Sequence, residues 1–197
     1  MPFLAVYLLT IADSLLQLDR DLFQFVNGTA AMPSFDWLFM ALRHAFTWIP
    51  LYVFVLFWII TRHRRYAWQF ILLTLVTFAI TDWVSASVLK PYFQRLRPCH
   101  DPVLQAGLRD LVGCGGQYGM PSSHASNHFG MAAFWYFAVL ALSGRRWWWL
   151  WLWAFLICYA QVYVGKHFPG DVLVGGVFGI GVGALMALFF RRWMLAR

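Results

Sequence analysis

Lys90 and Arg97 stand seven residues apart in the longest polar interval of an otherwise apolar chain, which runs into Pro121-Ser122-Ser123-His124 as the sequence turns apolar again. A second polar knot, Gly165-Lys166-His167-Phe168-Pro169-Gly170-Asp171, separates two later apolar runs. These residue types suit an anion. Arg97 offers a planar fork that matches phosphate oxygens, and Lys90 offers a point charge. Ser122 and Ser123 precede an apolar run, where hydroxyls and backbone N–H groups at a helix start can hold an anion. His124 can hold or donate a proton near neutral pH. Pro169 suits a helix start, which puts Asp171 in a first turn, four residues after His167. Its carboxylate can accept from one ring nitrogen and leave the other unprotonated and aimed at a substrate. Different neighbours imply different roles, with His167 as nucleophile and His124 as acid for the leaving oxygen. Alone, the His167–Asp171 pair reads as structural. The company of Lys90, Arg97 and His124 turns it toward catalysis.

The elements that must position these groups are apolar. The chain of 197 residues is 61% hydrophobic, 20% aromatic and 12% charged. A soluble domain carries about a quarter charged residues, so a membrane protein follows. There are eight Asp and no Glu, which excludes surface helices laced with Glu–Lys pairs. The net charge of +7 sits mostly in short connectors. That favours anionic lipid headgroups as partners over nucleic acid. Twelve Trp, several in Trp147-Trp148-Trp149, suit a membrane interface. The first basic residue is Arg20, so no cleaved signal peptide is expected.

An all-α bundle of five spans, six at most, is expected within a single domain over 1–197. An N-terminal segment, 1–34, carries an amphipathic helix lying in the interface. In it, Ser14 and Gln17 have the form of a capping box, Leu15, Leu18, Leu22 and Val26 share one face, and Gly28 is a stop. Pro50 kinks or splits the apolar run Phe35 to Ile60, and its latter part is the first span. Tyr66–Leu89, Ala125–Leu142, Trp147–Val164 and Val172–Phe190 follow. Gly175, Gly179 and Gly183 recur every four residues, a spacing for close helix packing. Pro91 discourages helix beyond Lys90, so the loop 90–123 should turn there. Asp82 is placed to organise Lys90 or Arg97. This layout puts Lys90, His124, His167 and Asp171 at one membrane face. Arg62, Arg64, Arg65, Arg145, Arg146, Arg191, Arg192 and Arg197 fall at the other, which the positive-inside rule makes cytoplasmic. The site then faces the periplasm or cell exterior. There, Cys99 and Cys114 can pair or stay as free thiols. Cys158, in an apolar run, is packing. His124 and His128 are four apart, but no carboxylate or further histidine stands at a metal-site spacing, so no metal is expected. His128 and Asn127 line the pocket or pack, and His44, His63 and His100 are interface or loop residues.

Lys90-x6-Arg97-Pro98, Pro121-Ser122-Ser123-His124 and His167-x3-Asp171 together resemble the three ordered signatures of the type 2 phosphatidic acid phosphatase (PAP2) superfamily. The resemblance covers roughly Asp82 to Gly176 by motif and the five-span tail by layout. It implies hydrolysis of phosphomonoesters or pyrophosphates through a phosphohistidine, without metal or other cofactor. By position, Lys90, Arg97, Ser122 and the Ser123 backbone bind phosphate, His124 is the general acid, His167 the nucleophile and Asp171 its orienting partner. Two positions depart from the family pattern. Ser123 replaces a glycine, and Ala160-Gln161 replace Ser-Arg. A phosphate-binding cation is therefore missing at 161, where Gln161 can still donate hydrogen bonds, and Arg95 or Lys166 are its candidate substitutes. The substrate this implies is a lipid phosphate, with undecaprenyl pyrophosphate first, then phosphatidylglycerophosphate, phosphatidic acid and lipid A 1-phosphate. A lipid phosphotransferase and a non-catalytic lipid-phosphate binder are the alternatives.

Overall fold

The computed structural model describes residues 2–104 and 107–196; Arg197, one of the expected cytoplasmic cations, lies outside them. The described residues form helices α1 (Pro2–Gln24), α2 (Asp36–Leu42), α3 (Ile49–Arg62), α4 (Ala67–Trp83), α5 (Lys90–Phe93), α6 (Ser123–Ser143), α7 (Trp149–Tyr163) and α8 (Pro169–Leu195). No strand is present among them, only an isolated bridge between Leu96 and Tyr118.

Three continuous helical stretches among the described residues are long and apolar enough to cross a membrane: Ala45–Arg62, Arg64–Phe93 and Pro169–Leu195. Trp149–Tyr163 is apolar but shorter. α6 falls outside that set because its first two turns carry Ser123, His124, Ser126, Asn127 and His128. It does not need lipid-soluble side chains. Twelve of its 21 residues are buried, because α8, α7 and α4 surround it. The outer helices meet lipid instead, and Phe54, Phe57, Leu75, Leu173, Val177 and Leu188 are all exposed on them.

Local chemistry explains where the helices start and stop. Pro50 sits in the first turn of α3, where its missing N–H costs nothing, and the run from Phe35 to Ile60 is split as expected, with α2 ending at Leu42. Ser122 caps α6 by accepting from the Ala125 N–H at 3.4 Å, and Gly144 ends it at φ 69°. Two expectations are corrected. Ser14 does not start a helix: α1 already runs from Pro2, and the Ser14 hydroxyl donates back to the Thr10 carbonyl at 2.8 Å. The apolar stretch before it propagates the helix, so the residues of the box lie mid-helix. Nor does the chain turn at Pro91. A π-helical stretch, Val84–Leu89, runs directly into α5, and the turn comes at Gln94, with φ 49°. The wider π turn accommodates a proline that cannot donate to the preceding turn.

α6 and α8 make the closest pairing in the bundle, and glycine is the reason. A Cβ at Gly175 would meet the Ser122 carbonyl, one at Gly179 the Ser126 carbonyl, and one at Gly183 the Gly130 carbonyl. These are backbone atoms that cannot rotate away. Gly179→Val should therefore cost at least about 1–3 kcal/mol of stability, on the scale of overpacking. Thermal unfolding in detergent checks this against Gly181→Val, whose added Cβ meets nothing within 4 Å. Equal melting temperatures for the two variants would contradict it.

Candidate active site

Lys90 opens α5, His124 lies in the first turn of α6, and His167 immediately precedes α8, so all three stand at one end of the bundle. The arginines of the α3–α4 and α6–α7 connectors and of the α8 end stand at the other. After the turn at Gln94 the chain pairs with its own return. Gly119 N–H donates to the Arg95 carbonyl at 2.8 Å, and Arg97 N–H donates to the Gln117 carbonyl at 3.1 Å. That pairing delivers Arg97 beside the start of α6. The Ser122 N–H donates to the Asp171 carbonyl at 2.9 Å and ties that start to the first turn of α8. The Gln161 carbonyl accepts from the Lys166 and His167 N–H groups at 3.0 and 3.3 Å, holding the α7–α8 loop in a tight turn.

His167 is 2% exposed. Its Nδ1 lies 3.4 Å from Asp171 Oδ2, and its Nε2 lies 3.3 Å from Arg97 Nη1. A carboxylate on one side and a guanidinium on the other select one tautomer: Nδ1–H donates to Asp171, and the Nε2 lone pair faces the cation. Burial pushes the His167 pKa down to about 4, against the opposing pull of the Asp171 hydrogen bond. The ring is therefore neutral at physiological pH.

Asp171 is fully buried and has every reason to stay in place. Its Oδ2 also accepts from the Phe168 N–H at 3.1 Å, and its Oδ1 accepts from Arg95 Nη1 at 3.0 Å. Arg95 is fixed in turn by Asp19 on α1, with Nη2 to Oδ2 at 2.5 Å, and its guanidinium lies 4.3 Å over the Phe168 ring. Asp19 Oδ1 accepts from the Gly170 N–H at 2.7 Å. Asp19 carries no sequence signal, since it reads as one more polar residue beside Gln17, Arg20 and Asp21. Neighbouring Arg20 pairs with Asp101 at 3.1 Å, so α1 docks onto the site loop through charges as well as through Phe23.

The remaining candidates are placed as follows. His124 is half-buried, and among the described residues its ring has no hydrogen-bond partner. Lys90 is half-buried, and no described carboxylate pairs with its amine. Ser122 is fully buried and its oxygen is spent on the α6 cap, whereas Ser123 is partly exposed and accepts from Ser85 Oγ at 3.0 Å. Gln161 is fully buried, and neither atom of its amide has a partner. An orphaned amide costs about 1–3 kcal/mol, which a ligand oxygen could offset. Asp82 accepts from Asn127 Nδ2 at 2.9 Å and makes no ion pair with Lys90 or Arg97, because Asn127 on the central helix reaches it first. His128 Nδ1 donates to the His124 carbonyl at 2.7 Å, and its ring packs on Trp153.

Neither expected substitute for the missing cation is free. Arg95 is committed to Asp171 and Asp19, and Lys166 Nζ donates to the carbonyls of Gly113 and Cys114. Cys99 and Cys114 are bonded to each other, with Cα atoms 5.7 Å apart, and clamp the same loop.

The chain has clear relatives among known proteins. The chain is 32% identical over 185 residues to a lipid A 4'-phosphatase of Bacteroides thetaiotaomicron, covering 91% of this chain and 80% of the relative. It is 30% identical to a lipid A 4'-phosphatase of Porphyromonas gingivalis, covering 93% and 76%. The crystal structure of LpxE from Aquifex aeolicus superposes with a TM-score of 0.62 at 25% identity, covering 87% of this chain and 95% of that one. A transmembrane PAP2-type phosphatidylglycerolphosphate phosphatase from Bacillus subtilis superposes with a TM-score of 0.66 at 19% identity, covering 98% and 94%, and supports the fold alone. A sequence profile of the PAP2 superfamily matches residues 67–195, a range that contains the Lys90–Arg97, Ser122–His124 and His167–Asp171 clusters. By this profile match and these relatives, the chain belongs to the PAP2 superfamily and is a membrane phosphatase.

Proposed function

We propose that this chain removes a phosphate group from a lipid at the outer face of a cytoplasmic membrane, through a phosphohistidine on His167 and without a metal. The observation that carries the reading is the buried His167, held between Asp171 and Arg97 with Nε2 toward the cation. In the first step Nε2 attacks phosphorus, the P–O bond to the lipid breaks, and His124 gives its proton to the leaving oxygen. In the second, His124 takes a proton from water, whose oxygen attacks phosphorus and releases inorganic phosphate, restoring His167. Lys90, Arg97, the Ser122–Ser123 segment and the Gln161 amide bind the phosphoryl oxygens, and fixed charges and dipoles stabilise the transition state. The whole chain, 1–197, acts as one membrane-embedded domain, with segment 1–34 bracing the site and loop 90–123 forming its rim.

Undecaprenyl pyrophosphate, the substrate expected first, is not what the relatives' names point to. Two lipid A 4'-phosphatases matched over most of the chain favour a phosphomonoester on a glycolipid of the lipid A type. A phosphate-release panel with purified protein in detergent and EDTA tests the reading. It compares lipid A, undecaprenyl pyrophosphate, phosphatidylglycerophosphate and phosphatidic acid. Highest turnover on lipid A, with activity kept in EDTA, is expected. Release that requires an acceptor lipid would make the chain a transferase, and no release from any lipid would make it a binder. Loss in EDTA with rescue by metal would overturn the metal-independent step.

The orientation rests on Arg62, Arg64, Arg65, Arg145, Arg146, Arg191 and Arg192 at the end away from the site. In a background without native cysteines, Val103→Cys should label with an impermeant thiol reagent in whole cells, while Arg145→Cys should resist. Val103 is exposed in the site loop, so the reverse pattern would place the site in the cytoplasm.

A further inference from the structure

The position that the motif leaves without a cation has an unused one nearby. Arg43 ends α2, its backbone N–H donating to the Phe39 carbonyl at 3.3 Å. Phe39 packs on Tyr159 and Tyr163 of α7, with ring centroids 5.4 and 4.0 Å away, and these residues flank Gln161 in sequence. On the other side of Arg43, Trp48 Nε1 donates to the Leu42 carbonyl at 2.7 Å, and its ring meets Trp153 edge-on at 6.2 Å. Trp153 meets His128 at 5.2 Å, and His128 stacks on His124 at 6.1 Å. The α2–α3 corner is thus pinned at two points on α7, the helix that carries Gln161, and Trp153 of α7 in turn meets the helix that carries His124.

Among the described residues the Arg43 side chain has no hydrogen-bond or ion-pair partner. Its Nε is buried without a hydrogen-bond partner, and among the described residues it makes no ion pair. Its described neighbours in electrostatic reach include Arg97, Lys166 and His124, and among the described acids Asp110 favours its charge. Burial, and then Arg97, pull its pKa below the ordinary arginine value. A half-buried guanidinium that gathers with other cations and lacks a carboxylate is costly unless an anion completes it. Arg95 and Lys166 cannot serve, because both are bound to the scaffold.

We propose that Arg43 is the phosphate-binding cation that replaces the one missing at position 161, joining Lys90 and Arg97 on the transferring phosphoryl group. The proposal rests on the phosphatase reading above. It moves one charge of the site from α7 to the end of α2, while the Gln161 amide remains as a neutral donor.

Two measurements test it: phosphate release from the best lipid of the panel, and binding of inorganic vanadate, which reads the anion site without turnover. Arg43→Ala should lower kcat/KM about 10²–10³-fold, the scale of one transition-state donor. It should also weaken vanadate binding at least about tenfold. Arg64→Ala, at the opposite end of the bundle, should leave both unchanged. Arg43→Ala combined with Gln161→Arg should regain at least about tenfold of the lost activity, because the charge returns from the other helix. A merely structural Arg43 would show no such rescue. Arg43→Lys keeps a cation with less packing change and should fall between parent and Arg43→Ala in both readouts. Parent-like turnover in Arg43→Ala, or parent-like vanadate binding in a folded but inactive Arg43→Ala, would overturn the assignment while leaving the phosphatase reading intact. A parent that releases phosphate from no lipid and binds no vanadate would overturn the phosphatase reading itself, and the role of Arg43 with it.

Discussion

His167→Ala should abolish phosphate release while the bundle stays folded. The loss should reach at least about 10⁴-fold, the scale of removing a covalent nucleophile. The substitution takes away the Nε2 that faces Arg97, and no other described nitrogen is held between that cation and a carboxylate. Folding should survive because the ring contributes chemistry more than core: the apolar packing at this corner comes from Phe23, Leu104, Val162 and Phe168. Phosphate release within tenfold of the parent would remove His167 as nucleophile. The pH profile gives an independent check. Nε2 attacks only when unprotonated, so kcat/KM must fall as pH falls through the His167 pKa. Burial places that pKa at about 4, below the ordinary histidine value of 6.5. The acid limb should therefore lie near pH 4, and a limb centred at 6.5 would show an exposed or differently paired ring.

Asp171→Asn should lower turnover by roughly 10³–10⁴-fold, the scale seen when an orienting carboxylate beside a catalytic histidine becomes an amide. Asp171 holds His167 Nδ1–H, the Phe168 N–H and Arg95 Nη1 at once. An asparagine of the same shape can keep one or two of these contacts, but its amide nitrogen cannot accept. Either His167 takes the wrong tautomer, with Nε2 protonated and no longer nucleophilic, or Arg95 loses one of its two carboxylate partners and keeps only Asp19. The backbone tie from Ser122 N–H to the Asp171 carbonyl is untouched, so the α6–α8 junction should persist. Unfolding by heat and turnover, measured on the same sample, separate the two effects. A variant that melts early yet turns over normally would assign Asp171 to stability alone.

What could be read in the sequence was what short-range order determines. Three clusters with short internal spacing, each at the junction of a polar and an apolar stretch, stand at helix ends, and those ends are expected at one face. Pro169 and Asp171 could be placed in a first turn because proline and carboxylate both favour that position for local reasons. The glycines of α8 could be read as a contact face, because only absent side chains let two backbones approach. The shape of the active site could not be read this way, since its supports come from far along the chain. Asp19 reaches Arg95 and Gly170, 76 and 151 residues away, and no local pattern distinguishes it from a solvated acid. A membrane carboxylate needs a partner, which points Asp82 toward Lys90 or Arg97, but packing supplies Asn127 instead. By sequence Arg95 and Lys166 are candidates for the missing charge, but tertiary contacts commit both elsewhere. Arg43, 118 positions before Gln161, had no sequence reason to be considered. The residues near one another in sequence determined which chemistry the site can do. Only the folding of distant segments onto α6 decided which charges remain free to do it, because a guanidinium or carboxylate is available to a substrate only where the fold leaves it unpaired.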